Sequence, residues 1–259
     1  MTRVERTVHR YGPDRSQLGE LFLPRGEGPH GVAVVLHGGY WRARYDRSLM
    51  ADVCTDLAAQ GVAAWNLEYR RTGGGGGWPE TFADVAAGTD ALAELDLPLD
   101  LERVVAVGHS AGGHLAFWIA ARPTLPRDVP GAAPRIHVRA AVSQAGVLDL
   151  RLASQLTPSD EPTRDLLGDP ERRAEIYELA SPRERLPLGI PQLVLHGDRD
   201  DVVSRRIAES YTTAAQELGD PCELVVLRCT GHMEHVDPSS EAWRIAREWL
   251  VRYASDARS

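Results

Sequence analysis

The pentapeptide Gly108-His109-Ser110-Ala111-Gly112 stands between the apolar run Val104–Val107 and the helix-like stretch His114–Ala121. A buried strand that turns straight into a helix needs residues without Cβ atoms where backbones crowd, and glycine at both ends of the pentapeptide supplies them. The serine is then left at the tip of the turn, in the manner of a nucleophile elbow. The helix that starts beyond it brings unpaired N–H groups and a positive dipole end to the same place. Taken alone, the five residues fit equally a glycine-rich strand-to-helix turn with no chemistry. The rest of the chain decides between the two.

A serine hydroxyl is a weak nucleophile. It needs a histidine to take its proton and a carboxylate to orient the imidazole. Downstream, Pro191–His196 reads as a buried strand followed by the polar turn Gly197-Asp198-Arg199-Asp200-Asp201. Glu223–Leu227 is a further strand, and Thr230-Gly231-His232 sits in the loop before the last helix. Asp198, Asp200 and Asp201 are all available as the acid, and those not used would cap the next helix or carry surface charge. His232 and His235 compete for the base. His232 directly follows Gly231 in the loop and is preferred, with His235 either behind it in support or at the rim of the pocket. His232-Met-Glu-His235 has the wrong spacing for His-Glu-x-x-His, so no metal site is expected.

Upstream, the apolar run Gly31–Leu36 leads into His37-Gly38-Gly39-Tyr40-Trp41. Glycines after a strand let backbone N–H groups approach a ligand closely. Together these segments resemble the α/β-hydrolase superfamily over essentially the whole chain, including its order of serine, acid and histidine. The resemblance implies a mainly parallel sheet with helices on both faces and a small cap. It selects Asp200 as the acid, with Asp201 second, and His232 as the base for Ser110. It also implies an oxyanion hole from the backbone of Gly39 or Tyr40 together with Ala111. Within the superfamily, His37–Trp41 resembles the arylformamidase (kynurenine formamidase) branch and its esterase relatives; hormone-sensitive-lipase-like enzymes carry a third glycine at Tyr40.

That branch implies cleavage of an N-formyl aryl amide or a small acyl ester through an acyl-enzyme, without a cofactor. A short-chain carboxylesterase or lactonase is the neighbouring alternative, and a non-catalytic receptor on the same scaffold is a reading from another class. Trp41, Tyr69 and Trp78 are candidates for the substrate wall, although Trp41 could equally pack its loop onto the core. A homodimer is common in the superfamily, but no surface pattern here argues for one.

The chain has 259 residues, which suits one α/β domain over 1–259. Its net charge of −8 disfavours nucleic-acid partners. No stretch reaches the roughly 18 apolar residues of a membrane span. Met1–Arg6 is charged rather than signal-like, and Cys54, Cys222 and Cys229 show no framework, so a reduced cytoplasmic setting is expected. Arg3–His9 and Leu18–Leu23 read as an antiparallel edge, with further strands at Val62–Leu67 and Val138–Ala145. Helices are expected at Ser48–Gln60, from Pro79 as first residue to Leu95, at Ser204–Leu218 and at Ser239–Tyr253. Gly73–Gly77 lacks the Lys and Ser/Thr of a phosphate loop and reads as a mobile loop beside the pocket. The stretch 146–189 breaks the alternation and suits a cap, with helical pieces at Pro162–Leu167 and Glu171–Ala180.

Overall fold

The computed structural model describes residues 4–156 and 162–255. Arg3 of the expected first strand and 157–161 of the expected cap lie outside the described residues. Eight strands form one sheet: β1 (Glu5–Arg10), β2 (Leu18–Leu23), β3 (His30–Leu36), β4 (Ala63–Leu67), β5 (Leu99–His109), β6 (Ala140–Gln144), β7 (Gln192–Gly197) and β8 (Cys222–Leu227). Their order across the sheet is β1-β2-β4-β3-β5-β6-β7-β8. β1 and β2 make the antiparallel edge, β2 pairing antiparallel with β4 as well, and β3 through β8 run parallel to one another.

The helices are α1 (Ala51–Ala59), α2 (Glu80–Asp90), α3 (Ala111–Ala121), α4 (Leu150–Leu156), α5 (Pro162–Leu167), α6 (Ala174–Ala180), α7 (Arg205–Glu217) and α8 (Glu241–Ala254). The expected first helix opens as a 3-10 turn, Arg47–Met50, capped by the Asp46 carboxylate on the Ser48 N–H. Pro79 sits one residue before α2 rather than as its first residue.

Strand alternation divides the core in two. Val32, Val34, Val104 and Ala106 face α2, α3 and α7, whereas Ala33, Val35, Val105 and Val107 face α1 and α8. All eleven residues of α3 are buried, which explains why it is apolar on every face. Its glycines let it press on the sheet. A Cβ on Gly112 would stand 2.0 Å from the Leu36 carbonyl oxygen, and one on Gly108 would stand 2.1 Å from that of Gly112. Close packing of α3 is what lifts Ser110 to the carboxyl edge of the sheet, where open parallel sheets bind their ligands. Among the described residues, no helix is long and apolar enough to cross a membrane.

Candidate active site

Ser110 joins β5 to α3 with φ 54° and ψ −121°, a backbone conformation that side chains rarely adopt. Its N–H donates to the Gln144 carbonyl at 2.8 Å, which holds the turn against β6. Such strain persists only where surrounding structure enforces it, and it clusters at functional sites.

Asp200 lies in the turn between β7 and α7, and His232 lies in the loop after β8. The His232 Nδ1–H donates to Asp200 Oδ2 at 2.8 Å. The other oxygen, Oδ1, accepts the N–H groups of Val202 and Val203, each at 2.9 Å. Burial acts to raise the Asp200 pKa, but these bonds outweigh it and lower it to about 2. His196 steadies the same turn by donating from Nε2 to the Val203 carbonyl at 2.9 Å. Asp198 and Asp201 are exposed; Asp201 reaches the pocket wall, and the bond to His232 is made by Asp200. His235 is buried rather than at the rim, and burial lowers its pKa to about 4.

The loop after β3 turns through three consecutive left-handed residues, Gly39 (φ 114°), Tyr40 (φ 55°) and Trp41 (φ 55°). A Cβ on Gly39 would lie 2.5 Å from the Tyr45 ring, and one on Gly38 would lie 3.0 Å from Ser110 Cβ. Here glycine is required by both conformation and space. Beneath the loop, His37 Nδ1–H donates to the Gly38 carbonyl at 2.7 Å, and burial lowers the His37 pKa to about 3. Glu68 is buried with it. Its carboxylate pairs with Arg71, lies 3.1 Å from His37 Nε2 and accepts the Arg47 and Tyr69 N–H groups.

A cavity of about 340 Å³ opens at Ser110. Tyr40, Trp41, Ala111 and Asp200 border it, and Val147, Ala153, Leu156, Val203 and Ile207 give it an aliphatic wall. Ala153, Leu156, Pro162 and Thr163, which belong to α4 and α5, line one side of it.

Two of the expected wall aromatics are elsewhere. Tyr69 is fully buried under the loop, stacked on His37 at 4.5 Å, with its hydroxyl donating to the His37 carbonyl at 2.7 Å. Trp78 packs on Phe82 at 4.9 Å, and its N–H is bonded to the Leu166 carbonyl of α5. Trp41 is placed between the cavity and the core. It borders the cavity, and its indole N–H donates to His114 Nδ1 at 3.1 Å while His114 Nε2–H donates to the Ala180 carbonyl of α6 at 2.9 Å. Gly73–Gly77 is folded onto the Arg71 carbonyl, which accepts from Gly74 and Gly76, and it borders a surface recess beside Arg42 and Asp165 rather than the cavity. Gln144 had no sequence signal. A glutamine that ends a buried strand looks like any strand terminus, yet it holds Ser110 through its backbone and the histidine segment through its side chain.

A doubly covered, mainly parallel sheet with Ser, Asp and His at the carboxyl ends of its strands defines the α/β-hydrolase fold. The chain belongs to the BD-FAE family, whose model matches residues 20–214. Among solved structures it is similar to a truncated carbohydrate esterase from gut microbiota (TM-score 0.81, 20% identity, 96% of this chain and 97% of that one). It is also similar to a thermophilic esterase of Thermogutta terrifontis (TM-score 0.75, 22% identity, 98% and 95%). Among curated proteins it is 24% identical to dipeptidyl-peptidase 5 of Schizosaccharomyces pombe over 88% of its length. It is 29% identical to the probable carboxylic ester hydrolase LipM of Mycobacterium tuberculosis over 73%. The chain spans 34% and 46% of those two relatives.

Proposed function

We propose that the protein hydrolyses carboxylic esters with a small apolar acyl group. The observation that carries the reading is the 2.8 Å Asp200–His232 pair, whose Asp200 borders the same aliphatic cavity as the strained Ser110. His232 takes the proton as Ser110 Oγ bonds to the ester carbonyl carbon, and Asp200 fixes the imidazole tautomer and balances the imidazolium. The tetrahedral oxyanion is met by N–H groups of the Gly39–Tyr40 segment and of Ala111, each worth about 3–4 kcal/mol in the transition state. Collapse breaks the carbon–oxygen bond, His232 returns its proton to the departing alcohol, and water then releases the acid by the same route.

The cavity wall favours an ester over a formamide. A formyl carbon bears only hydrogen and has no use for an acyl cavity lined by Val147, Leu156 and Ile207. Of the three aromatic residues expected to suit an aryl substrate, Tyr69 and Trp78 are packed elsewhere, and Trp41 alone of the three borders the cavity. The esterase names of the similar structures and of the mycobacterial relative point the same way.

The test is kcat/KM for p-nitrophenyl acetate and butyrate against N-formylkynurenine, with Ser110→Ala as control. The expected result is ester preference and a loss of at least about 10⁴-fold in the control. Preference for the formamide would return the arylformamidase reading. Wild-type turnover by Ser110→Ala would overturn Ser110 as the nucleophile, whereas no turnover of any of these substrates by the wild type, with no serine adduct from a fluorophosphonate, would leave a non-catalytic receptor.

A further inference from the structure

His232 sits at the start of a single 3-10 turn, Met233–Val236. A turn this short leaves most of its carbonyls without partners of its own, so the groups that bind them determine where it rests. Two side chains from the sheet do so. His109 donates from Nε2 to the His232 carbonyl at 2.9 Å. Gln144 donates from its side-chain amide to the His235 carbonyl at 2.6 Å. The two donors are register partners at the ends of the adjacent strands β5 and β6. Both also hold the nucleophile: His109 precedes Ser110 in the chain, and the Gln144 backbone carbonyl accepts the Ser110 N–H at 2.8 Å. Both side chains are buried, at 3% and 0% exposure, so water does not compete for these bonds.

We propose that His109 and Gln144 form a two-point clamp that sets the reach of His232 toward Ser110, making both positioning residues for the proton transfer. The inference rests on the ester-hydrolase reading. The clamp ties the turn that carries the base to the same pair of strand ends that carries the nucleophile, so the two move as one body. His109 is suited to the task because it stays neutral. Burial, with His232 and His235 close by, lowers its pKa to about 3. Its ring stands 4.5 Å from that of His232, and a second cation there would oppose the imidazolium formed in each turnover.

The experiment compares H109L, H109Q, H109N and Q144M with wild type and with Ser110→Ala. Glutamine carries its amide at the reach of Nε2, whereas asparagine carries it one bond short. Expected are kcat losses of about 10- to 100-fold in H109L, H109N and Q144M with KM changed less than about twofold, and recovery of most of the rate in H109Q. Because both bonds hold one turn, H109L/Q144M should fall no more than about threefold below the slower single variant. The downfield proton resonance between His232 and Asp200 should stay sharp in H109Q and broaden in H109L and Q144M. A role in stability alone would leave that resonance and the kcat of the folded fraction unmoved.

Wild-type kcat in H109L and Q144M, with Ser110→Ala inactive, overturns the clamp and leaves the hydrolase reading standing. A fully active Ser110→Ala overturns Ser110 as the nucleophile, and with it the mechanism on which the hydrolase reading rests. Should H109L and Q144M fail to fold, H109Q against H109N decides, because equal rates would mean that the donor does not matter.

Discussion

Asp200 and His232 are joined at 2.8 Å although they lie 32 residues apart, on the loops that follow neighbouring strands β7 and β8. The contact is set by backbone packing. A Cβ on Gly197, the last residue of β7, would stand 2.1 Å from the Thr230 carbonyl oxygen, so the histidine loop lies directly on the end of the strand. The Arg199 N–H also donates to that carbonyl at 2.9 Å. Side-chain geometry at the site is therefore inherited from a loop-to-strand contact that only glycine allows.

The same pair predicts how stability depends on pH. The Asp200 pKa is lowered from 3.8 to about 2 in the folded state, so ionised Asp200 favours folding above about pH 4, and the contribution is lost as pH falls through about 2. The carboxyl is fully buried, and the loss amounts to about 2 kcal/mol. Urea titrations at pH 6 and pH 2.5 should show Asp200→Asn losing less stability than wild type between the two. Equal losses would sink the assignment. At neutral pH the same variant should lower kcat by about 10⁴-fold.

Ser110 carries backbone strain for the sake of its position. With φ at 54°, glycine would relieve a cost of about 1–3 kcal/mol, offset in part by the greater freedom of glycine in the unfolded chain. Ser110→Gly should thus be inactive yet more stable than Ser110→Ala by about 1 kcal/mol, measured by thermal or urea unfolding. If the alanine variant is the more stable of the two, the turn is not strained.

Glu68 links the His37–Trp41 loop to the fold. It is the buried counter-charge of Arg71, whose guanidinium also donates to His37 Nε2 at 3.3 Å, and the Nδ1–H bond of His37 fixes the Gly38 carbonyl. Glu68→Ala leaves the Arg71 guanidinium buried and uncompensated, for which a loss of about 3–5 kcal/mol is expected. Glu68→Gln should lose less. Both variants should retain KM better than kcat, because the loop acts on the transition state. A change confined to KM would place the effect on substrate binding instead.

Much of this arrangement is legible in the sequence, for a physical reason. Ser110, Asp200 and His232 each follow a strand, and the residues that permit the turn, Gly108, Gly197 and Gly231, are visible beside them. Alternating apolar segments likewise mark β3, β5 and β7, which are buried on both faces. What stays hidden is direction. Tyr69 and Trp78 are aromatic and follow the end of β4, yet one stacks beneath His37 and the other packs on Phe82, because residues beyond a strand end have no period to orient them. The same holds for His109 and Gln144. Their partners are carbonyls 123 and 91 residues away, and no local pattern announces a bond to a backbone atom of another segment.

The cavity wall makes a last prediction about acyl length. Ile207 is the third residue of α7, 4% exposed, and its side chain borders the space beside Ser110. Truncation to alanine enlarges that space next to Val203 and Leu156 without touching the Asp200–His232 pair. A buried methylene in such a pocket is worth about 1–3 kcal/mol, so Ile207→Ala should raise the kcat/KM ratio of hexanoate over acetate esters by about tenfold or more. The removed contacts should lower stability by about 2 kcal/mol, toward the low end for such truncations because one side of the residue faces the cavity rather than the core. Acetate turnover should change little, since its methyl group does not reach the widened region. A ratio unchanged from wild type would mean that the acyl chain lies elsewhere, with the alcohol half of the ester occupying the aliphatic wall.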